Sequence, residues 1–336
     1  MRSPASEWRH RWRGPRRDFI KIVAESAVAW PIAVTAQEAG RTYRLGFLLP
    51  AARTSPAINA FFDELRANGF VEGQNLVVTP GGFEVRSEQL PEAVANLVGT
   101  KPDAILSGGD LNTRTLQQAT KTIPIVVITE DVVAAGFAAS LAQPGGNVTG
   151  VSLMSTDLDG KRQDILIEAV PEAHRIAVLV DSNVATLQHL KELEESAKAR
   201  GRELLIIWVA NRNDLEPAIR NAISQGANAL NVLASPMLFL NGRIIIDRAV
   251  ELRLPAIFQW PETAEEGGLL GYGPSFVEIF RRRASVIAKV LRGTKPGDLP
   301  VEQPSTFKLV VNLKTAKAIN HNVPSGLLLR VDKIVE

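Results

Sequence analysis

Residues 124–152 read PIVVITEDVVAAGFAASLAQPGGNVTGVS. The run 124–129 is almost wholly apolar and β-branched, the pattern of a strand buried on both faces. It leaves the core through Thr129-Glu130-Asp131, passes turn formers at Gly136 and Pro144-Gly145-Gly146, and returns to an apolar run at 148–152. Two acids thus stand at a strand exit. As neighbours on extended chain, Glu130 and Asp131 point to opposite sides, which suits a hydrolytic carboxylate pair poorly.

The same motif repeats along the chain. Strands are predicted at 43–49, 75–79, 104–107, 124–129, 148–152, 175–181, 204–210, 229–234 and 255–259. Helical periodicity fills 56–68, 87–99, 112–120, 157–169, 184–200, 213–225 and 242–253, with stop signals at Asn68-Gly69, Arg200-Gly201 and Gln225-Gly226. Apolar strands alternating with helices predict an α/β fold with parallel sheets covered on both faces. The strands split into two groups. The first ends near residue 151, and the second opens after the helix start at Ser155-Thr156-Asp157. A long helix at 275–292 and a tail with edge strands and a helix follow. The expected organisation is one lobe from 42–151 plus about 276–298 and a second from 152–275 plus about 299–336. Several chain crossings then make a hinge with a cleft between the lobes.

The chain has 336 residues, 45% apolar and 22% charged, enough for two ordinary domains with real cores. It has no cysteine, which excludes disulfides, thiolate metal sites and cysteine nucleophiles. Its four histidines, His10, His174, His189 and His321, lack metal-ligand spacing, and neither a metal nor a cofactor is expected. Residues 1–36 hold seven basic and three acidic side chains, so the remaining 300 carry a net −2 although the whole chain is +2. An acidic body argues against a nucleic-acid partner.

Those first 36 residues have a basic start, an apolar stretch and small residues at Val34-Thr35-Ala36, the layout of an export signal cut after Ala36. Arg16-Arg17-Asp18-Phe19-Ile20-Lys21 resembles a twin-arginine motif, with Pro15 in place of a hydroxyl residue and Glu25 inside the apolar stretch. The stretch is too short and interrupted to be a permanent anchor.

In open parallel sheets, ligands bind beyond the carboxyl ends of the strands. No P-loop, dinucleotide fingerprint, nucleophile elbow or zinc-protease motif occurs. The strand ends supply Ser107, Gly108, Gly109, Thr129, Glu130, Asp131, Ser182, Asn183, Ser235 and Gln259 as candidate ligand contacts. Any one of the polar residues among them is equally well read as a cap of the next helix. Trp260 and Tyr272 are candidates for stacking on a ligand or for packing between lobes. Arg53 is a candidate partner for an anion, as is Arg114, whose place in a helix pattern favours plain exposure. With no base beside the acids, recognition of a small polar molecule is expected rather than catalysis. A two-lobed enzyme or a ligand sensor is the alternative.

Glu130-Asp131-Val132-Val133-Ala134-Ala135-Gly136, followed by Ser140-Leu141-Ala142-Gln143-Pro144-Gly145-Gly146-Asn147-Val148-Thr149-Gly150, resembles a signature of bacterial ABC-transporter substrate-binding proteins. The subfamily includes tryptophan- and tyrosine-type binding proteins. Gly160-Lys161-Arg162, Arg253-Leu254-Pro255, Glu266-Gly267-Gly268-Leu269, Tyr272-Gly273-Pro274 and Pro300-Val301-Glu302-Gln303-Pro304 extend the likeness over about 43–336. The resemblance implies a type I periplasmic-binding fold in which two Rossmann-like lobes close on an amino acid or an aromatic or organic acid. It also implies periplasmic location and partnership with a permease and ATPase subunits at the inner membrane. Asp131 matches the family's aspartate. Glu130 stands where the family has glycine, Val132 where it has proline, and Ser235 where it often has aspartate.

Overall fold

The structure is a computed structural model that describes residues 40–183 and 186–336. The expected export signal lies outside the described residues. The described chain alternates strand and helix. The first half runs β1 (Tyr43–Leu48), α1 (Pro56–Ala67), β2 (Leu76–Val78), α2 (Leu90–Gly99), β3 (Ala104–Gly108), α3 (Asp110–Ala119), β4 (Ile125–Thr129) and β5 (Val148–Ser152). The second runs α4 (Asp159–Ala169), β6 (Arg175–Asp181), α5 (Leu187–Ala199), β7 (Glu203–Val209), α6 (Leu215–Ser224), β8 (Ala229–Val232), α7 (Pro236–Leu240), α8 (Gly242–Glu251), β9 (Ala256–Phe258), α9 (Pro261–Glu265) and β10 (Leu270–Gly273). Then come α10 (Phe276–Leu291), β11 (Lys308–Asn312), α11 (Leu313–Ala318), α12 (Ser325–Leu328) and β12 (Lys333–Val335).

The first sheet has the order β2-β1-β3-β4-β5, all parallel. The second has the order β12-β11-β10-β9-β8-β6-β7, parallel except that β11 runs against β10. Its stretch β7-β6-β8-β9-β10 repeats the arrangement of the first sheet. Each sheet therefore reverses its strand order once, between β1 and β3 and between β6 and β8, the switch point where open α/β sheets leave a crevice.

Alternating side chains cover both faces of the first sheet. Leu45, Phe47, Leu106 and Val126 pack with Phe61 of α1 and Ile287 of α10. Leu48, Ile105, Ile125 and Val127 pack with Leu97 of α2 and Leu116 of α3. In the second sheet Leu179, Leu230 and Val232 meet Ile219 of α6 and Ile245 of α8, while Ile176, Ala229 and Leu270 meet Leu166 of α4 and Leu327 of α12.

The chain passes between the sheets three times: after β5, after β10 and after residue 302. Before the third crossing it lies along β5, where Glu302 N–H donates to Gly150 O at 2.8 Å and Ser152 N–H to Glu302 O at 2.9 Å. Strand β10 is absent from the sequence expectation, which counted nine strands before the tail. Its glycines explain why. A Cβ at Gly271 would collide with the Trp260 carbonyl, and one at Gly273 with the Gln259 carbonyl. The close approach needs glycine, and glycine erases the strand signal.

Candidate functional site

At the carboxyl edge of the first sheet, Thr129 is 3% exposed and its hydroxyl has no hydrogen-bond partner. Ser107 is fully buried, its hydroxyl 3.1 Å from that of Thr113. Gly108 ends β3. Gly109 (φ +89°) opens α3 with free space where a Cβ would stand. Asp131 Oδ1 accepts the N–H groups of Val133 at 2.9 Å and Ala134 at 3.0 Å, so it caps the turn it begins. Desolvation pushes the Asp110 carboxyl up, Arg114 draws it back and Asp131 adds to the rise. Arg114 itself donates to Ala135 O at 3.3 Å and lies over the Phe137 ring, clasping the turn. Arg53 goes elsewhere. It pairs with Glu72, stacks on Phe62 at 3.7 Å and lines an open depression of about 560 Å³ with Asn59, Arg66 and Phe70. No other predicted residue shares that depression.

The second sheet gathers its candidates at the β6–β8 switch point. Ser235, 1% exposed, caps α7 by accepting from Met237 N and Leu238 N, and donates to Asp181 Oδ2 at 2.6 Å. Asp181 Oδ1 accepts the Asn183 amide nitrogens, backbone at 2.9 Å and side chain at 3.0 Å. Gln259 Oε1 takes the Ser235 N–H at 3.3 Å. Ser182 is exposed, its N–H bonded to Val209 O. Among the described residues no ion pair reaches Asp181, which is 4% exposed.

Trp260 stands where the sheets meet. It packs with Ile128, Val151 and Leu153 of the first half and with Ile279 of α10. Its ring lies 3.9 Å from that of Phe276 and 5.8 Å from that of Phe239, a residue 40% exposed. The buried indole Nε1 has no partner. Phe239 and Phe276 were not among the sequence candidates, although Phe276 opens α10 just as Trp260 caps α9.

A charge cluster also escaped the sequence reading. Arg162 is fully buried. It donates through Nε to Tyr272 O at 2.9 Å and pairs with Asp159. Asp159, 1% exposed, also accepts the Ala234 N–H at 3.3 Å, and its Oδ2 lies 3.0 Å from His189 Nε2. Burial lowers the Arg162 pKa, and the charges of Asp159 and Glu130 oppose that. The hydrogen bond to Asp159 raises the His189 pKa, with desolvation opposing and Glu192 and Asp157 adding. Tyr272, half-buried, is pushed up by burial and drawn down by Arg162. The signal was present: Asp159, Arg162, Gln163 and Leu166 share one helical face, yet three of the four are polar.

Among the described residues no group of three or more His, Asp or Glu is placed to hold a metal ion, and no helix is long and apolar enough to cross a membrane.

Comparison with known proteins bears on what this arrangement serves. A tyrosine-binding protein of Clostridioides difficile is 25% identical over 270 residues, covering 79% of this chain and 76% of the relative. A conserved domain protein of Vibrio cholerae has a solved structure that superposes with a TM-score of 0.76 at 25% identity, over 88% of this chain and all of that one. The structure of a Streptococcus pneumonia ABC domain in complex with L-Trp superposes at 0.71 and 20% identity, over 87% of this chain and all of that one, and shares the fold. These neighbours have the type I periplasmic-binding fold. The family model for ABC transporter substrate binding proteins matches residues 55–335, and the chain belongs to that family.

Proposed function

We propose that this chain is the exported receptor of an ABC import system and that it captures an amino acid with an aromatic side chain in the crevice between its sheets. It releases this cargo to a membrane permease driven by ATPase subunits. In this reading residues 1–36 are the export signal, cut after Ala36, and the mature protein works in the periplasm. The lobes are 42–151 plus about 276–302 and 152–275 plus about 303–336, the expected boundary near 298 moving to the third crossing because 299–302 lie along the first sheet. They close by hinge motion at the three crossings, and the ligand stabilises the closed form through contacts made only there.

The observation that carries the ligand class is Asp181, a buried carboxylate at a switch point with hydrogen bonds but no cation. An ammonium is its natural complement. The unsatisfied Trp260 Nε1 and the Phe239–Phe276–Trp260 cluster suit an aromatic side chain. The tyrosine-binding relative points the same way.

Residues 37–336, purified and examined by mass spectrometry, are expected to carry an unmodified amino acid. Titration calorimetry with L-tyrosine and L-tryptophan is expected to show binding that Asp181→Asn weakens by about tenfold or more, the worth of one charge-assisted hydrogen bond. Failure of every amino acid to bind would sink this reading. Recovery of a chemically altered molecule would favour an enzyme.

A further inference from the structure

The long helix α10 does not cap itself. The first N–H groups of a helix have no partner inside it, and a serine at the cap position ordinarily takes one of them. Ser275 holds that position, yet its side chain makes no such bond. Its hydroxyl donates to Glu262 Oε1 at 2.9 Å instead. The same oxygen accepts the Phe276 N–H at 2.9 Å. The cap of α10 is thus a carboxylate supplied by α9, at the end of the helix where the peptide dipoles favour negative charge.

Trp260 caps α9 and Glu262 stands two residues further on. The short helix is anchored in the second half, where Asn312 Nδ2 donates to Ala264 O at 2.8 Å. One carboxylate therefore ties the backbone that carries the Trp260 ring to the backbone that carries the Phe276 ring. The two rings lie 3.9 Å apart at 36°, and Phe276 stacks on Phe239 at 4.9 Å and 28°. A second tie reaches the same turn of α10, from Lys308 Nζ to Glu278 Oε1 at 2.6 Å. Both of those side chains are more than a third exposed, where an ion pair contributes little. The Glu262 tie is of another kind. Its second oxygen, Oε2, is buried with no hydrogen-bond partner, which is a costly state for a carboxylate. Ser275 could cap α10 without that cost. What the carboxylate adds is the join between the two aromatic segments.

We propose that Glu262 is a positioning residue for the aromatic platform: it fixes the start of α10 so that the Phe276 ring meets Trp260. The role at the ligand rests on the reading of Trp260, Phe276 and Phe239 as the surface that receives an aromatic side chain. The positioning itself exists in the free protein.

The full chain labelled with 5-fluorotryptophan gives one fluorine resonance per tryptophan, five in all, and Trp260→Phe identifies that of Trp260. Glu262→Ala removes the acceptor, and Glu262→Asp withdraws it by one methylene while keeping the charge. Both are expected to shift the Trp260 resonance in folded protein, and Glu262→Asp decides alone if Glu262→Ala does not fold. Glu262→Gln keeps an oxygen for the Phe276 N–H and is expected to leave the resonance near its wild-type position. A cap that served stability alone would lower the melting temperature without moving this signal. An unmoved resonance in the Ala and Asp variants overturns the proposal, and so does a Gln variant that shifts as far as the Ala variant. Calorimetry with L-tryptophan is expected to show binding about two- to tenfold weaker in Glu262→Ala, the range of one aromatic contact, with Glu262→Gln restoring it. Full affinity in Glu262→Ala overturns the role at the ligand. Failure of the wild type to bind any amino acid would sink the receptor reading instead, and the fluorine resonances would still decide whether Glu262 places the rings.

Discussion

Among the described residues two arginines are fully buried, one in each half of the molecule, and they are held in opposite ways. Arg162 lies among formal charges, with Asp159 bonded to it and Glu130 acting from the other sheet. Arg283 of α10 has no carboxylate partner among the described residues. It donates to the carbonyls of Ser107 and Val126 and lies 4.8 Å from the Phe280 ring, while its Nε and Nη1 have no partner. Burial alone pulls its pKa down to about 9. One cation is a node in a network that joins α4, α5 and β10. The other is held by backbone dipoles and a ring inside a single lobe. A charge balanced by charges depends on each partner, whereas a charge balanced by dipoles depends on the local backbone.

The contrast can be broken most forcefully at Arg162. Replacement by methionine removes the ion-pair partner of buried Asp159, and urea unfolding is expected to lose about 3–5 kcal/mol, the cost of leaving a buried charge uncompensated. A loss near zero would show that the network contributes nothing. Arg283→Met should behave differently, since it removes a charge that has no ionic partner. Between about pH 9 and the unfolded arginine value, unfolded chains hold a proton that the folded protein has released. Wild-type stability relative to Arg283→Met is therefore expected to rise with pH above about 9, by at most about 1.4 kcal/mol per pH unit. Parallel pH profiles for the two proteins would place a hidden anion beside Arg283.

Asp131 is the anionic counterpart of Arg283, for its Oδ1 is satisfied by backbone amides. Asp131→Ala is expected to cost about 1 kcal/mol, the typical worth of a capping side chain. Calorimetry on the same variant separates that cap from a ligand contact, because only the second lowers affinity in protein that is still fully folded. The smallest effect is expected at His189. Its folded pKa is raised, so its contribution is fully present below the unfolded histidine value of about 6.5 and is lost as pH rises through the folded value. The partly exposed ring is screened by solvent, so the difference between wild type and His189→Gln is expected to stay under about 1 kcal/mol. Thermal melts between pH 5 and 8 check both sign and size.

The candidate site was legible in part, and the division follows the chemistry. Ser235, Gln259 and Asn183 converge with Asp181 because they end neighbouring parallel strands, and adjacency in such a sheet carries strand-end residues to one edge. Trp260 was legible as a large aromatic residue after a strand, a candidate for stacking on a ligand or for packing between lobes, and it packs against both halves. Arg53 also follows a strand, yet its long side chain turns along α1 to Glu72 and Phe62, a direction that no spacing reveals. The Arg162 cluster, whose helical face was legible, was missed for another reason. A polar residue on a helical stripe reads as exposed, and only its partners make its burial affordable.

The sequence by itself determined the alternation of strand and helix, the division into two groups of strands, the turns and caps, and the family, because periodicity and local backbone preference are short-range properties. Tertiary structure decided which charges meet. Asp159 and Arg162 lie on α4, and His189 meets Asp159 from the separate helix α5. Hydrophobic periodicity states that a position faces inward. It does not state which residue of another element arrives opposite, and for a buried charge that partner decides the outcome.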